Sequence, residues 1–235
     1  MSFQPDPRIA RGMRAQLQAR RARLDGGEAP LGWKVGFGAP AALARYALSG
    51  PLVGFLLRSA LVESGASVPL RGWAKPVAEP EIAVYLGADI PAGASAADAA
   101  AAVAALGPAI ELADVDAPPD EVESILARNI YQRRVVLGPR DPGRAGAQLE
   151  GLRGRVHRTR GVPEEITDLE ANTGRIVDIL CHTADLLAAS GAALRAGDVI
   201  IAGSVVAPLF ISPDDTDFGF DLEPIGRAAV RFAHA

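Results

Sequence analysis

The sequence predicts a chain that mixes helices and strands. Three observations carry this. A capped, amphipathic stripe occupies the first 25 residues. Short apolar runs of strand length recur from residue 79 to the end, bounded by Gly and Pro. Two helix-like patterns, after Ser95 and after Thr173, interrupt those runs.

Asp6-Pro7 is a helix start, with Asp as the cap and Pro in the first turn. Ile9, Met13, Leu17 and Leu24 then form one stripe, ringed by Arg8, Arg11, Arg14, Arg20, Arg21 and Arg23, and Gly26-Gly27 ends it. Residues 28 to 75 suggest short strands and turns around a short helix from Ala41 to Leu48, broken at Gly50-Pro51. Residues 79 to 87 predict a strand. Ser95-Ala96-Ala97-Asp98 resembles a capping box before an alanine-rich helix that runs through Leu106 and stops at Gly107-Pro108. Strands are expected at 109–114 and 133–138, and a polar, half-exposed one at 147–158. Thr173 opens a helix with Ile176, Val177, Leu180, Ala184 and Leu187 on one face, ending at Gly191. Val199 to Ser204 is a strand entering a glycine turn, and 205–211 and 227–232 close the sheet. The organisation expected is an N-terminal helix and small-strand portion, residues 1–75, packed on a core, residues 76–235.

Composition excludes several classes. Hydrophobic residues at 49% against 22% charged residues describe a globular chain rather than a disordered one. A net charge of −4 and a pI near 5.5 argue against nucleic acid or an anionic membrane as general partner. Cys181 is the one cysteine, which rules out an intrachain disulfide and a cysteine-based zinc cluster. No apolar stretch approaches the ~20 residues needed to span a bilayer, and Met1 to Asp6 carries no apolar signal core. A soluble cytoplasmic protein is expected.

Of 24 basic residues, only Lys34 and Lys75 are lysines. Arg stays protonated, whereas a desolvated lysine can exchange a proton. Lys34 lies in the apolar, glycine-rich stretch Leu31-Gly32-Trp33-Lys34-Val35-Gly36, which makes it a catalytic candidate; a snorkelling side chain is the alternative.

The strongest anomaly is acidic. Glu79 and Glu81 fall two apart in a predicted strand, so they share a face, and Glu111 sits between Ile110 and Leu112 in another. Carboxylates seldom enter such runs unless something neutralises them. Two readings compete: a divalent cation, for which three carboxylates with open positions suit Mg2+ or Mn2+, and separate arginine partners for each acid. The strand–helix–strand unit brings all three into one neighbourhood, which favours the metal. His157, His182 and His234 form no patterned site, so the signal for nucleophilic catalysis is weak. Gly36-Phe37-Gly38 does not complete a dinucleotide fingerprint. Gly203-Ser204, after an apolar strand, offers either backbone donors for an anion or an ordinary turn.

Four segments together resemble the fumarylacetoacetate hydrolase superfamily, in its 2-keto-4-pentenoate hydratase and 4-oxalocrotonate decarboxylase branch. They are Gly32-Trp33-Lys34-Val35-Gly36, Lys75-Pro76-Val77-Ala78-Glu79-Pro80-Glu81-Ile82-Ala83, Ala109-Ile110-Glu111-Leu112-Ala113-Asp114, and Ala196-Gly197-Asp198-Val199-Ile200-Ile201-Ala202-Gly203-Ser204. The resemblance implies a mixed α+β fold: a rolled, mainly β core with flanking helices and a small N-terminal α/β portion, in homo-oligomers. It implies a metal at Glu79, Glu81 and Glu111, Lys34 as acid–base residue, and Gly203-Ser204 beside the carboxylate of a small-molecule 2-oxo acid. Where the branch has an Asp-Asn-Ala-Ser stretch, this chain has Arg128-Asn129-Ile130-Tyr131. Asn129 fits; Arg128 is a candidate for a distal substrate carboxylate. Ala202 replaces the branch's Thr.

The expected activity is a metal-dependent lyase on a 2-oxo acid or its dienol, hydratase-like, in the breakdown of aromatic-type compounds. In this expectation Lys34 moves the proton, its pKa lowered by the cation and by apolar surroundings. Alternatives are a 4-oxalocrotonate-type decarboxylase, an acylpyruvate C–C hydrolase, and a scaffold without activity.

Overall fold

The computed structural model describes residues 6–160 and 162–234. Helix α1 (Pro7–Asp25) starts as its cap dictates, with Asp6 Oδ1 accepting the Arg8 N–H at 2.8 Å. Gly12 lets it approach its neighbour closely, since a Cβ there would lie 2.7 Å from Leu126 Cβ. After α1 the chain forms β1 (Pro30–Gly36), α2 (Pro40–Tyr46), β2 (Leu52–Leu57), β3 (Leu61–Val62), β4 (Ser67–Pro69) and β5 (Pro76–Leu86). Then come α3 (Ala96–Ala102), β6 (Val103–Asp114), α4 (Val122–Ala127), β7 (Gln132–Leu137), β8 (Arg153–Arg158) and β9 (Glu164–Ile166). The last elements are α5 (Ile176–Ala189), β10 (Val199–Ser204), β11 (Leu209–Phe210), β12 (Asp217–Glu223) and β13 (Gly226–Ala233).

Two sheets result. The larger has the order β2-β1-β10-β5-β6-β7-β3, with β11 also paired to β5; the smaller has the order β4-β13-β12-β8-β9. One face of the larger sheet joins the main core through Trp33, Ile82, Ile110 and Ile200. The other face gathers Leu31, Leu56, Ala83, Ala109, Val135, Val199 and Ile201 into a second apolar cluster. Leu56 and Val135 stand on strands five places apart, which a flat sheet would hold roughly 24 Å from one another. Their membership in one cluster means the sheet is rolled. Asn129 closes the roll: its carboxamide accepts from Phe55 N (2.7 Å) and donates to Phe55 O (2.9 Å), joining β2 to the segment entering β7. The mixed α+β architecture with a rolled β core is the one expected.

Several local expectations are corrected. The alanine-rich helix ends at Ala102, and β6 begins at Val103 and runs through Gly107-Pro108. Its pairing with β5 extends from Leu86–Val103 to Pro76–Asp114, and that burial outweighs the helix propensity of alanine. Helix α5 starts at Ile176 rather than Thr173, with the Ile176 N–H donated to Glu170 Oε1 at 2.7 Å. Strand β8 covers only the end of the expected 147–158 run. Strand β12, rich in Asp and Gly, carried little strand signal. Strand β13 closes the smaller sheet, not the one holding β10. Strands from either side of residue 75 share both sheets: β1 pairs with β10, β3 with β7 and β4 with β13. Among the described residues, no helix is long and apolar enough to cross a membrane.

Candidate metal centre and its cavity

The pairing of β5 with β6 sets Glu79 opposite Glu111 and Glu81 opposite Ala109. Alternation puts Glu79 and Glu81 on one face, and directly opposed residues share a face. One carboxylate oxygen from each of Glu79, Glu81 and Glu111 lies within 4.8 Å of the others. Lys34 reaches the same place from β1, where it pairs with Gly54 on β2 and Ile201 on β10. Its Nζ lies 2.6 Å from Glu111 Oε1 and 2.5 Å from Oε2, and the residue is 1% exposed. Gly54 makes room for it: a Cβ there would stand 3.0 Å from Lys34 Cγ and 2.9 Å from Asn129 Oδ1. Between Ile201 and Ser204 the register of β10 on β5 shifts. Gly203 takes a φ of +91° in that shift, and its N–H donates to Glu81 Oε2 at 2.6 Å.

Three carboxylates against one ammonium leave a surplus of negative charge in a dry place. Burial raises the pKa of Glu79 to about 7, the charge of Glu111 adding to it and Lys34 opposing it. Glu81 is raised well above the usual carboxylate range by burial and then by Glu111 and Glu79. Burial also raises Glu111, against the ammonium of Lys34. Burial by itself would lower Lys34, but Glu111, Glu79 and Glu81 outweigh it and the net shift is upward. The lowered lysine pKa expected from the sequence is thus not the state of the metal-free site. Two further atoms, Glu81 Oε1 and Ser204 Oγ, are buried with no hydrogen bond among the described residues. A buried orphan carboxylate oxygen beside two other carboxylates fits a hard divalent cation, which takes oxygen donors and cancels the surplus.

The cluster underlies a cavity of about 410 Å³. Lys34, Glu79, Gly203 and Ser204 line it, whereas Glu81 and Glu111 lie beneath its surface. Arg128 and Asn129 do not line it. Arg128 is turned to solvent beside Asp116, at 3.3 Å, and Asn129 spends its carboxamide on Phe55. Asn129, Ile130 and Tyr131 all have positive φ (53°, 52° and 61°), a turn that directs the Ile130 carbonyl to within 3.5 Å of Lys34 Nζ. The three histidines stand elsewhere: His157 on Asp221, His182 on the Pro51 carbonyl, His234 on the Asp215 carbonyl. Sequence reasoning missed Asn172 and Thr173, which line the cavity. Asn172 Nδ2 donates to the Ser204 carbonyl (2.7 Å) and the Val206 carbonyl (3.0 Å), holding the loop after β10. The only signal was an Asn-Thr-Gly turn, absorbed into the expected helix start.

A sequence profile of the fumarylacetoacetate hydrolase C-terminal family matches residues 38–233. The chain is 29% identical over 193 residues to a 4-oxalocrotonate decarboxylase from a Pseudomonas species, covering 81% of this chain and 74% of that one. It is 27% identical over 233 residues to a 2-hydroxyhexa-2,4-dienoate hydratase from Comamonas testosteroni, covering 97% and 88%. Among solved structures, the 4-oxalocrotonate decarboxylase from Pseudomonas putida G7, complexed with magnesium and adipate, superposes with a TM-score of 0.84 at 25% identity, over 93% of this chain and 83% of that one. With its rolled sheet and with a profile match over most of its length, the chain belongs to the fumarylacetoacetate hydrolase family.

Proposed function

We propose that this chain is a divalent-metal-dependent lyase acting on a 2-oxo acid or its dienol, with water addition as the first reaction and a place in the breakdown of aromatic-type compounds. One observation carries it: a cluster of three carboxylates and one lysine, largely buried, under a mostly apolar cavity. Glu79, Glu81 and Glu111 hold the cation, Mg2+ or Mn2+. When bound, it supplies Lewis acidity toward the substrate's 2-oxo oxygen. Lys34 keeps a proton at Nζ, steadied by Glu111, and exchanges it with the substrate carbon skeleton. Ser204 Oγ, which has no hydrogen-bond partner among the described residues, donates to the substrate carboxylate, and Asn172 holds that loop in place. Val35, Phe37 and Val77 pack the hydrocarbon part.

Decarboxylation is the second reading, favoured by a cation at the cavity wall, Lys75, that suits a diacid. Acylpyruvate hydrolysis has less support, because no described histidine lines the cavity to activate water. A homo-oligomer in the cytoplasm completes the proposal; light scattering on the purified protein tests the assembly.

Turnover of 2-hydroxydienoates followed in the ultraviolet, with CO2 measured in parallel, tests the chemistry. Metal-stripped protein is expected to be inactive and to recover with Mg2+. Glu111→Gln is expected to lose on the order of 1000-fold in kcat/KM, a loss of about 4 kcal/mol of barrier lowering. Undiminished activity of that variant, folded by circular dichroism, would sink the proposal.

A further inference from the structure

We infer that Lys75 is the specificity-determining cation of this cavity, selecting ligands with a second carboxylate remote from the glutamate cluster. This rests on the reading above in one respect: the cluster end is taken as the 2-oxo acid end. The two lysines of the chain both line this one cavity, Lys34 buried and Lys75 exposed. Four residues of strand, roughly 13 Å, separate Lys75 from Glu79.

The backbone at Lys75 is anchored to the same strand that carries Glu111. Its N–H donates to Asp114 Oδ1 at 2.8 Å, the Ala74 N–H donates to the same oxygen at 2.9 Å, and its carbonyl accepts from Val115 N at 3.1 Å. Asp114 is buried, and it stands three residues along β6 from Glu111. The β5–β6 register therefore sets both the cluster and the lysine.

The other cations nearby are already engaged. Arg45, which also lines the cavity, lies over the Tyr46 ring at 5.1 Å and 3.7 Å from Asp120. Arg128 is 3.3 Å and Arg133 3.0 Å from Asp116. Lys75 has no carboxylate partner among the described residues; its Nζ stands 4.5 Å over the Phe210 ring. An aromatic face orients an ammonium without neutralising it. What remains is an apolar-walled cavity with an uncompensated, oriented positive charge along its wall, a fit for the far carboxylate of a short diacid.

Calorimetric binding of adipate and of hexanoate to the Mg2+-loaded protein tests this, because the two six-carbon acids differ at one end. The wild-type chain is expected to bind adipate roughly tenfold more tightly. Lys75→Ala is expected to remove that preference, Lys75→Arg to keep part of it, and Arg128→Ala to keep all of it. A preference that survives in Lys75→Ala, or a wild-type chain that does not discriminate, overturns the assignment. If Lys75 discriminates equally well without Mg2+, the metal proposal fails and the Lys75 assignment stands. If Glu111→Gln weakens both acids alike while the ratio still depends on Lys75, both hold.

Discussion

The two sheets contain the same kinds of charged pair in opposite settings. On the smaller sheet, Arg155 faces Glu165 at 2.9 Å and Glu223 at 3.5 Å, each side chain more than a third exposed. In the rolled sheet, Lys34 faces Glu111 with side chains 2% and 0% exposed, and two more carboxylates crowd the pair. Water screens the first set, and such pairs contribute about 0–1 kcal/mol. Water screens the second far less, so its surplus charge is met by protons or by a cation. The difference teaches where chemistry is stored: a surface pair can be lost with little effect, whereas the buried cluster holds a surplus of charge that a bound cation would relieve.

The comparison can be broken most directly by removing one cation from each sheet. In metal-free protein, Lys34→Met is expected to cost roughly 3–5 kcal/mol in urea unfolding, because it leaves buried carboxylates uncompensated. Arg155→Met is expected to cost less than about 1 kcal/mol. Equal effects would dissolve the contrast.

Next in size is the closure of the roll. Asn129→Ala orphans the N–H and C=O of Phe55 and is expected to cost roughly 2–4 kcal/mol in the same measurement. A loss below 1 kcal/mol would mean that the roll closes without this clamp.

The pH dependence sharpens the contrast further. Glu79 has its folded pKa raised to about 7 from 4.5. Its neutral form is the one favoured by folding, so the associated stability is present below pH 4.5 and is lost as pH rises through about 7. Metal-free protein should therefore melt several degrees lower at pH 8 than at pH 5. Mg2+ should raise Tm more at pH 8 than at pH 6, since it competes with protons for the same oxygens. A Tm that is flat over this range, with no Mg2+ effect, would show that the cluster carries no surplus charge.

Glu79, Glu81 and Glu111 were legible because a carboxylate in an apolar strand is an anomaly within five residues of sequence. Lys34 was legible for the same reason, helped by the scarcity of lysine. Helix α1 and strand β10 were readable from caps and apolar runs. Val103 to Pro108 was misread because alanine's local preference yields to eleven paired positions on β5. The pairing of Arg128 with Asp116 was not legible, because it is set by the path of the intervening chain.

The sequence by itself determined which residues are chemically out of place, since the cost of burying a charge is a local property of residue type and pattern. Only the tertiary structure decided that Glu79 stands opposite Glu111, that Asn129 locks β2 to the start of β7, and that Lys75 shares a cavity with Lys34. Those are matters of strand register and sheet curvature, which arise from pairing between segments far apart in the chain.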